Sequence, residues 1–144
     1  MSIPVKAILE QKGRDVVTVG PETTLNEAAA TLNKYRIGAV VVVGKDSKIV
    51  GIFTERDVVT AIAKHGTAAL EQSVSSLMTP EVFRCREETT VNELMGVMTE
   101  RRFRHVPVEN HGKLVGIISI GDVVKQRIRE VELETEQIIA YIAG

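Results

Sequence analysis

The stretch that decides the reading is Gly51-Ile52-Phe53-Thr54-Glu55-Arg56-Asp57, because the chain repeats it as Gly116-Ile117-Ile118-Ser119-Ile120-Gly121-Asp122. Each copy reads as the end of an apolar strand, then a hydroxyl residue where a helix begins, then a carboxylate in the first helical turn. The hydroxyl can accept an orphan backbone N–H, and the Asp favours the positive end of the helix. A single copy would be no more than a helix cap. Two copies direct attention to what surrounds each one.

Working outward, the same succession of elements precedes both corners. Thr24-Leu25-Asn26-Glu27 and Thr90-Val91-Asn92-Glu93 share the spacing of a capping box, and each opens an amphipathic helix. The first carries Leu25, Ala28, Ala29 and Leu32 on one face and runs to about Tyr35. The second carries Val91, Leu94, Met95 and Met98 inward. Ala39 to Val43 is a continuous apolar run expected for a strand buried on both sides, matched by Val106-Pro107-Val108. Turn chemistry follows at Gly44-Lys45-Asp46-Ser47 and at Asn110-His111-Gly112. Return strands at Lys48 to Phe53 and Lys113 to Ile118 then complete two hairpins. Short strands are predicted at Val16 to Val19 and Val82 to Cys85, and an opening helix over Pro4 to Lys12, echoed at Val74 to Met78.

Thr23 to Val43 aligns with Thr89 to Glu109 without a gap. One extra turn residue in the first half then brings Gly51 onto Gly116 and Asp57 onto Asp122. This is an internal duplication: module 1 over 1–66, a connector over 67–73 and module 2 over 74–144. A unit of about sixty residues buries only a modest core, so two units should pack together as a pseudo-twofold α/β (α+β) sandwich, each with order β-α-β-β-α. The two corners would then lie in clefts between the halves. The last helix could continue from Ile120 through Ala143, with Val124, Ile128, Val131, Ile138 and Ile142 along one stripe. A stripe that outruns its own module favours a homodimer.

Composition narrows the function classes. The 144 residues are 44% hydrophobic and 26% charged, an ordinary globular balance. With 3% aromatics and no Trp, the residues Tyr35, Tyr141, Phe53, Phe83 and Phe103 are too few for a base-stacking platform. A net charge of -1 provides no global field for nucleic acid or an anionic membrane. Cys85, the single cysteine, reads as a strand filler. His65, His105 and His111 lack ligand spacing, so no metal is expected. Met1 to Asp15 does not read as a signal peptide, and no apolar run is long enough to cross a bilayer, so a cytoplasmic location is expected.

On these residues, the duplicated order, the paired corners and the strand His105-Val106-Pro107-Val108, the chain resembles a pair of CBS domains, the modules named after cystathionine β-synthase. The resemblance covers nearly the whole chain and is to the free-standing members, in which two modules form a Bateman module. It implies a non-catalytic, regulatory unit whose clefts bind adenosyl ligands: AMP or ATP first, with NAD(H) and S-adenosylmethionine as further candidates. It implies a regulated partner protein, and many such members dimerise. By the same resemblance Asp57 and Asp122 would take the ribose, with Thr54 and Ser119 beside them. Thr18, Val19, Gly38, Ala39 and Val40 in the first half, and Arg84, Cys85, His105, Val106 and Pro107 in the second, would line the adenine pockets.

The chemistry suits these types, since an ionised Asp can accept from both ribose hydroxyls and a helix N-terminus offers N–H groups to phosphate. The halves differ where it matters: where the first has Thr18, Gly38 and Ala39, the second has Arg84, Arg104 and His105, and Arg56 is replaced by Gly121. Unequal clefts are expected. Arg56, Arg104 and His105 read equally well as phosphate contacts or as ordinary surface residues, and Arg101 and Arg102 as a solvated helix end. Two rival readings stand beside this one. An enzyme is opposed by the absence of a Gly-x-Gly-x-x-Gly or a phosphate-binding loop with its Lys-Ser/Thr. A purely structural or interaction subunit would use the corners only as caps.

Overall fold

The computed structural model describes residues 2–143; Met1 and Gly144, the outermost residues of the two predicted modules, lie outside the described residues. The element order is α1 (Val5–Lys12), β1 (Thr18–Val19), α2 (Leu25–Tyr35), β2 (Ala39–Val43), β3 (Ile49–Thr54) and α3 (Glu55–His65). After a connector it continues with β4 (Cys85–Arg86), α4 (Val91–Arg101), β5 (His105–Asn110), β6 (Lys113–Ser119) and α5 (Ile120–Ala143). Two three-stranded sheets result, ordered β1-β2-β3 and β4-β5-β6. In each, the short first strand lies parallel to the second and the hairpin is antiparallel.

Capping chemistry sets the helix starts. Thr24 accepts the Glu27 N–H at 3.1 Å, and Thr90 does the same for Glu93, whose carboxylate returns to the Thr90 N–H. Both helices end on a left-handed arginine at the same aligned position, Arg36 (φ 52°) and Arg102 (φ 60°). A left-handed conformation is costly for a non-glycine residue. Its presence at both positions carries the duplication down to backbone dihedrals.

Two local expectations differ from the structure. The short strands are two residues each, and Val82–Arg84 run outside the ladder because β4 pairs only through Cys85 and Arg86 with Val108 and Glu109. The echo of α1 at Val74 is a single 3-10 turn over Val74–Ser76, since Pro80 follows too soon for a longer helix. The connector, given no conformation from sequence, winds as 3-10 helix over Gly66–Glu71 and buries Ala69 completely.

Two apolar cores form, and each borrows its opening segment from across the duplication. Val5, Ile8 and Leu9 of α1 pack with Leu94, Val106, Val108 and Ile118 of the second half. Val74 packs with Leu25, Val40, Val42 and Phe53 of the first half. Backbone bonds fix both exchanges: Val5 N–H to the Thr89 carbonyl at 2.8 Å, and Val74 N–H to the Thr23 carbonyl at 2.8 Å. Fully burying side chains of this size stabilises each by about 1.5–3 kcal/mol. Glycine is required where the segments cross the sheets. A Cβ on Gly116 would lie 2.6 Å from Leu9 Cδ2, and one on Gly51 would lie 2.4 Å from Met78 Sδ. Leu9 and Met78 occupy equivalent places, so the duplication extends to these contacts.

Candidate functional site

The strand-to-helix corner at Thr54 is a complete capping box. Thr54 Oγ1 accepts the Asp57 N–H at 3.3 Å, while Asp57 Oδ2 accepts the Thr54 N–H at 2.9 Å and its hydroxyl at 3.2 Å. Both bonds to the carboxylate fall on Oδ2, and no protein donor reaches Oδ1 among the described residues. Burial outweighs those two bonds and raises the Asp57 carboxyl above its ordinary value of 3.8. The carboxylate is thus oriented but under-compensated, which suits a group that receives hydroxyl donors from a ligand.

This corner opens into a cavity of about 520 Å³ between the halves. The first half contributes Gly38, Ile52 and Thr54 to Asp57. The second contributes Arg102 to His105 and Ile120, and the segment after the connector contributes Thr79 and Glu81 to Phe83. Backbone bonds between Ile52 and Thr79, 3.1 Å in each direction, hold that segment against β3. Phe83 and Phe103 lie nearly parallel with ring centroids 6.1 Å apart, and the Arg101 guanidinium sits 5.9 Å from the Phe83 ring. The wall therefore offers an aromatic surface, three guanidinium residues (Arg56, Arg102, Arg104) and an oriented carboxylate. Glu55 and Glu81 add further negative charge. His105 stands between the two corners: burial lowers its pKa from 6.5, while Glu55 and Asp122 oppose that shift.

The second corner has the same local frame and a different outcome. Asp122 Oδ2 accepts the Ser119 N–H at 2.8 Å, and Ser119 Oγ accepts the Asp122 N–H at 3.1 Å. Lys12 Nζ then donates to Asp122 Oδ2 at 2.7 Å and to the Ile117 carbonyl at 2.9 Å. Burial raises the Asp122 carboxyl, but the Lys12 bond, the Ser119 N–H and the Lys12 charge together hold it below 3.8. The hollow at Asp122 is about 100 Å³.

Of the residues singled out in the sequence, Gly38, Thr54, Arg56, Asp57, Arg104 and His105 line the large cavity. Ser119 and Asp122 form the second corner. Thr18 and Val19 pair with Val41 and Val42 in the first sheet and do not reach the cavity wall. Ala39, Val40, Cys85 and Val106 are buried in strands, and Pro107 faces Ile117 across the hairpin. Arg84 is committed elsewhere, donating to the Ile49 carbonyl at 2.8 Å and pairing with Glu109 at 3.2 Å, which ties the two hairpins together. Sequence reasoning missed Phe83, Phe103, Glu55, Glu81 and Thr79, and put Arg102 on a solvated helix end. The signal for the aromatic pair was present: Phe83 and Phe103 align with the smaller Val17 and Ile37 of the first half.

A family model described as the CBS domain matches residues 5–64 and 74–129. Among solved structures, a CBS-domain containing protein from Agrobacterium tumefaciens has a TM-score of 0.84 and 59% sequence identity, over 86% of this chain and 98% of that one. The CBS domain pair of the protein MJ0100, solved in complex with 5-methylthioadenosine and S-adenosyl-L-methionine, has a TM-score of 0.80 at 25% identity, over 90% and 99%. A relative from Arabidopsis thaliana, the mitochondrial CBS domain-containing protein CBSX3, is 31% identical over 99% of this chain and 73% of its own length.

Proposed function

The chain belongs to the CBS-domain family, as a tandem pair of its modules, and from that premise we propose that the cleft at Asp57 binds an adenine nucleotide and that occupancy regulates a partner protein. The observation that carries this reading is the free Oδ1 of an oriented Asp57 opening on a 520 Å³ cavity with aromatic and guanidinium walls. The Asp57 carboxylate takes the ribose hydroxyls, the Phe83 and Phe103 side packs the base, and Arg56, Arg102 and Arg104 receive phosphate. Three guanidinium groups favour AMP or ATP over the sulfonium cation of S-adenosylmethionine. An adenine dinucleotide fits the same chemistry, with its second nucleoside following the cleft toward His105.

The role is regulatory, not catalytic. The Thr54 hydroxyl is held in the helix cap and is not presented as a nucleophile. Nucleotide bridging the two halves favours one relative arrangement of them, and a partner reads that arrangement. The exposed apolar stripe of α5, with Ile128 at 53% and Ile138 at 59% exposure, supports a homodimer as the working assembly.

Calorimetric titration of ligand-stripped protein with AMP, ATP, NADH and S-adenosylmethionine tests the reading. Saturable binding of AMP or ATP is expected, weakened roughly ten- to hundredfold by Asp57→Ala through the loss of charge-assisted bonds to ribose. Equal affinity in wild type and Asp57→Ala would overturn the assignment of the cleft. Absence of binding by all four would leave a structural subunit.

A further inference from the structure

The duplication gives the chain two corners with one backbone design, and the structure treats them differently. At Asp57 the carboxylate faces open cavity. At Asp122 an ammonium from the opposite end of the chain sits against the carboxylate, on Oδ2, the oxygen that takes the Thr54 hydroxyl at the first corner. We propose that Lys12 is a built-in cationic occupant of the second corner, so that the protein binds one nucleotide per chain, at Asp57, and that Lys12 is the residue setting this stoichiometry. The inference rests on the nucleotide reading of the Asp57 cleft and adds to it which of the two corners works.

Four observations converge. Lys12 Nζ satisfies Asp122 Oδ2 and the Ile117 carbonyl together, so the ammonium bridges helix α5 and strand β6 at the corner itself. The Lys12 side chain is only a third exposed, at 33%. Its backbone is not free to withdraw: α1 is seated by buried Val5, Ile8 and Leu9, and Leu9 fills the space over Gly116. In the first half, the residue placed as Lys12 is, three after Met78 as Lys12 is three after Leu9, is Glu81, which lines the large cavity. A carboxylate there cannot pair with Asp57 and leaves that corner open. The substitution of one charge sign for the other thus separates an open corner from a filled one.

A nucleotide entering at Asp122 must displace an ammonium held by two hydrogen bonds, one of them charge-paired. Removing the amine should tighten the second corner by roughly ten- to hundredfold. The test is the stoichiometry of ATP binding by calorimetry for wild type, Lys12→Met, Lys12→Ala and Lys12→Ala with Asp122→Ala, with thermal melting to confirm folding. Lys12→Met keeps the stem over the sheet and serves if the alanine variant unfolds. The expected results are one site per chain in wild type, two in the Lys12 variants and one again in the double variant. Two sites in wild type would overturn the inference while leaving the nucleotide reading intact. A single site persisting in both Lys12 variants would also overturn it. No ATP binding in any variant would refute the underlying reading instead.

Discussion

Replacing Gly51 by alanine tests how tightly the cavity wall is built. Gly51 has an ordinary backbone conformation, so its reason for being glycine is space alone. An added Cβ would stand 2.4 Å from Met78 Sδ, 2.9 Å from Met78 Cγ and 2.9 Å from the Thr79 carbonyl oxygen. The methionine sulfur can swing aside, but the carbonyl belongs to backbone held by the paired Ile52–Thr79 bonds. Relief requires that segment to move, and Thr79 to Phe83 line the cavity. Overpacking of this kind costs about 1–3 kcal/mol. For a chain of this length, an unfolding entropy of about 2.1 cal/mol/K per residue converts that to a melting temperature roughly 3–10 °C lower. Gly96→Ala is the control: Gly96 lies within α4, where a Cβ meets nothing within 4 Å, and alanine should stabilise by about 0.5–1 kcal/mol. The assay is differential scanning calorimetry of wild type and both variants, followed by ATP titration of each. A Gly51→Ala protein that melts with wild type and binds ATP equally well would refute the reasoning, since the segment would then have yielded without consequence.

Other outcomes follow from the two carboxylates, the thiol and the last helix. Asp57 has a raised folded-state pKa, so its ionisation costs stability as pH climbs from 3.8 through that value; Asp57→Asn should melt at or above the wild-type temperature at pH 7 while losing nucleotide affinity. Asp122 is lowered, so its stabilisation is present above 3.8 and is lost as pH falls through the lower folded value; Asp122→Asn should flatten that acid limb in melting curves taken from pH 6 to pH 2. Burial pushes the Cys85 thiol up to about 12, so a thiol-reactive chromophore at pH 8 should label it only after denaturant is added. Ile128→Glu combined with Ile138→Glu should convert the proposed homodimer to monomer in sedimentation velocity with little change in melting of the chain itself, because both side chains are more than half exposed.

The fold was legible because its signals are local and doubled. Capping boxes at Thr24 and Thr90, the apolar runs of the hairpins and the Gly-to-Asp corners each state their own structure, and two copies confirm one another. The length of α5 was readable from its stripe, down to Ala143. Where the backbone motif dictates position, the sequence pointed to residues that do line the cavity: Thr54, Asp57, Gly38 and His105. The site was not legible where it depends on which loop crosses which half. Arg84 was indistinguishable in sequence from a ligand contact, and only the positions of Glu109 and the Ile49 carbonyl show that both terminal nitrogens are engaged within the protein. Lys12 lies 110 residues from Asp122, beyond any pattern of spacing. Phe83 and Phe103 were passed over because aromatics are scarce, and only the fold brings the two rings onto one wall of the cavity.

The crossing of α1 and Val74 into opposite cores bears on where such a chain comes from. A single ancestral unit with this pattern is unfinished, because the segment that closes its core sits in another copy. Two separate copies complete each other by trading ends, as swapped partners do. Joining them in one polypeptide makes each exchange intramolecular and raises its effective concentration, so the trade no longer depends on protein abundance. The joined halves are then free to diverge while remaining mutually indispensable. Cutting the chain at 66 should therefore yield two pieces that stand less well apart than when mixed.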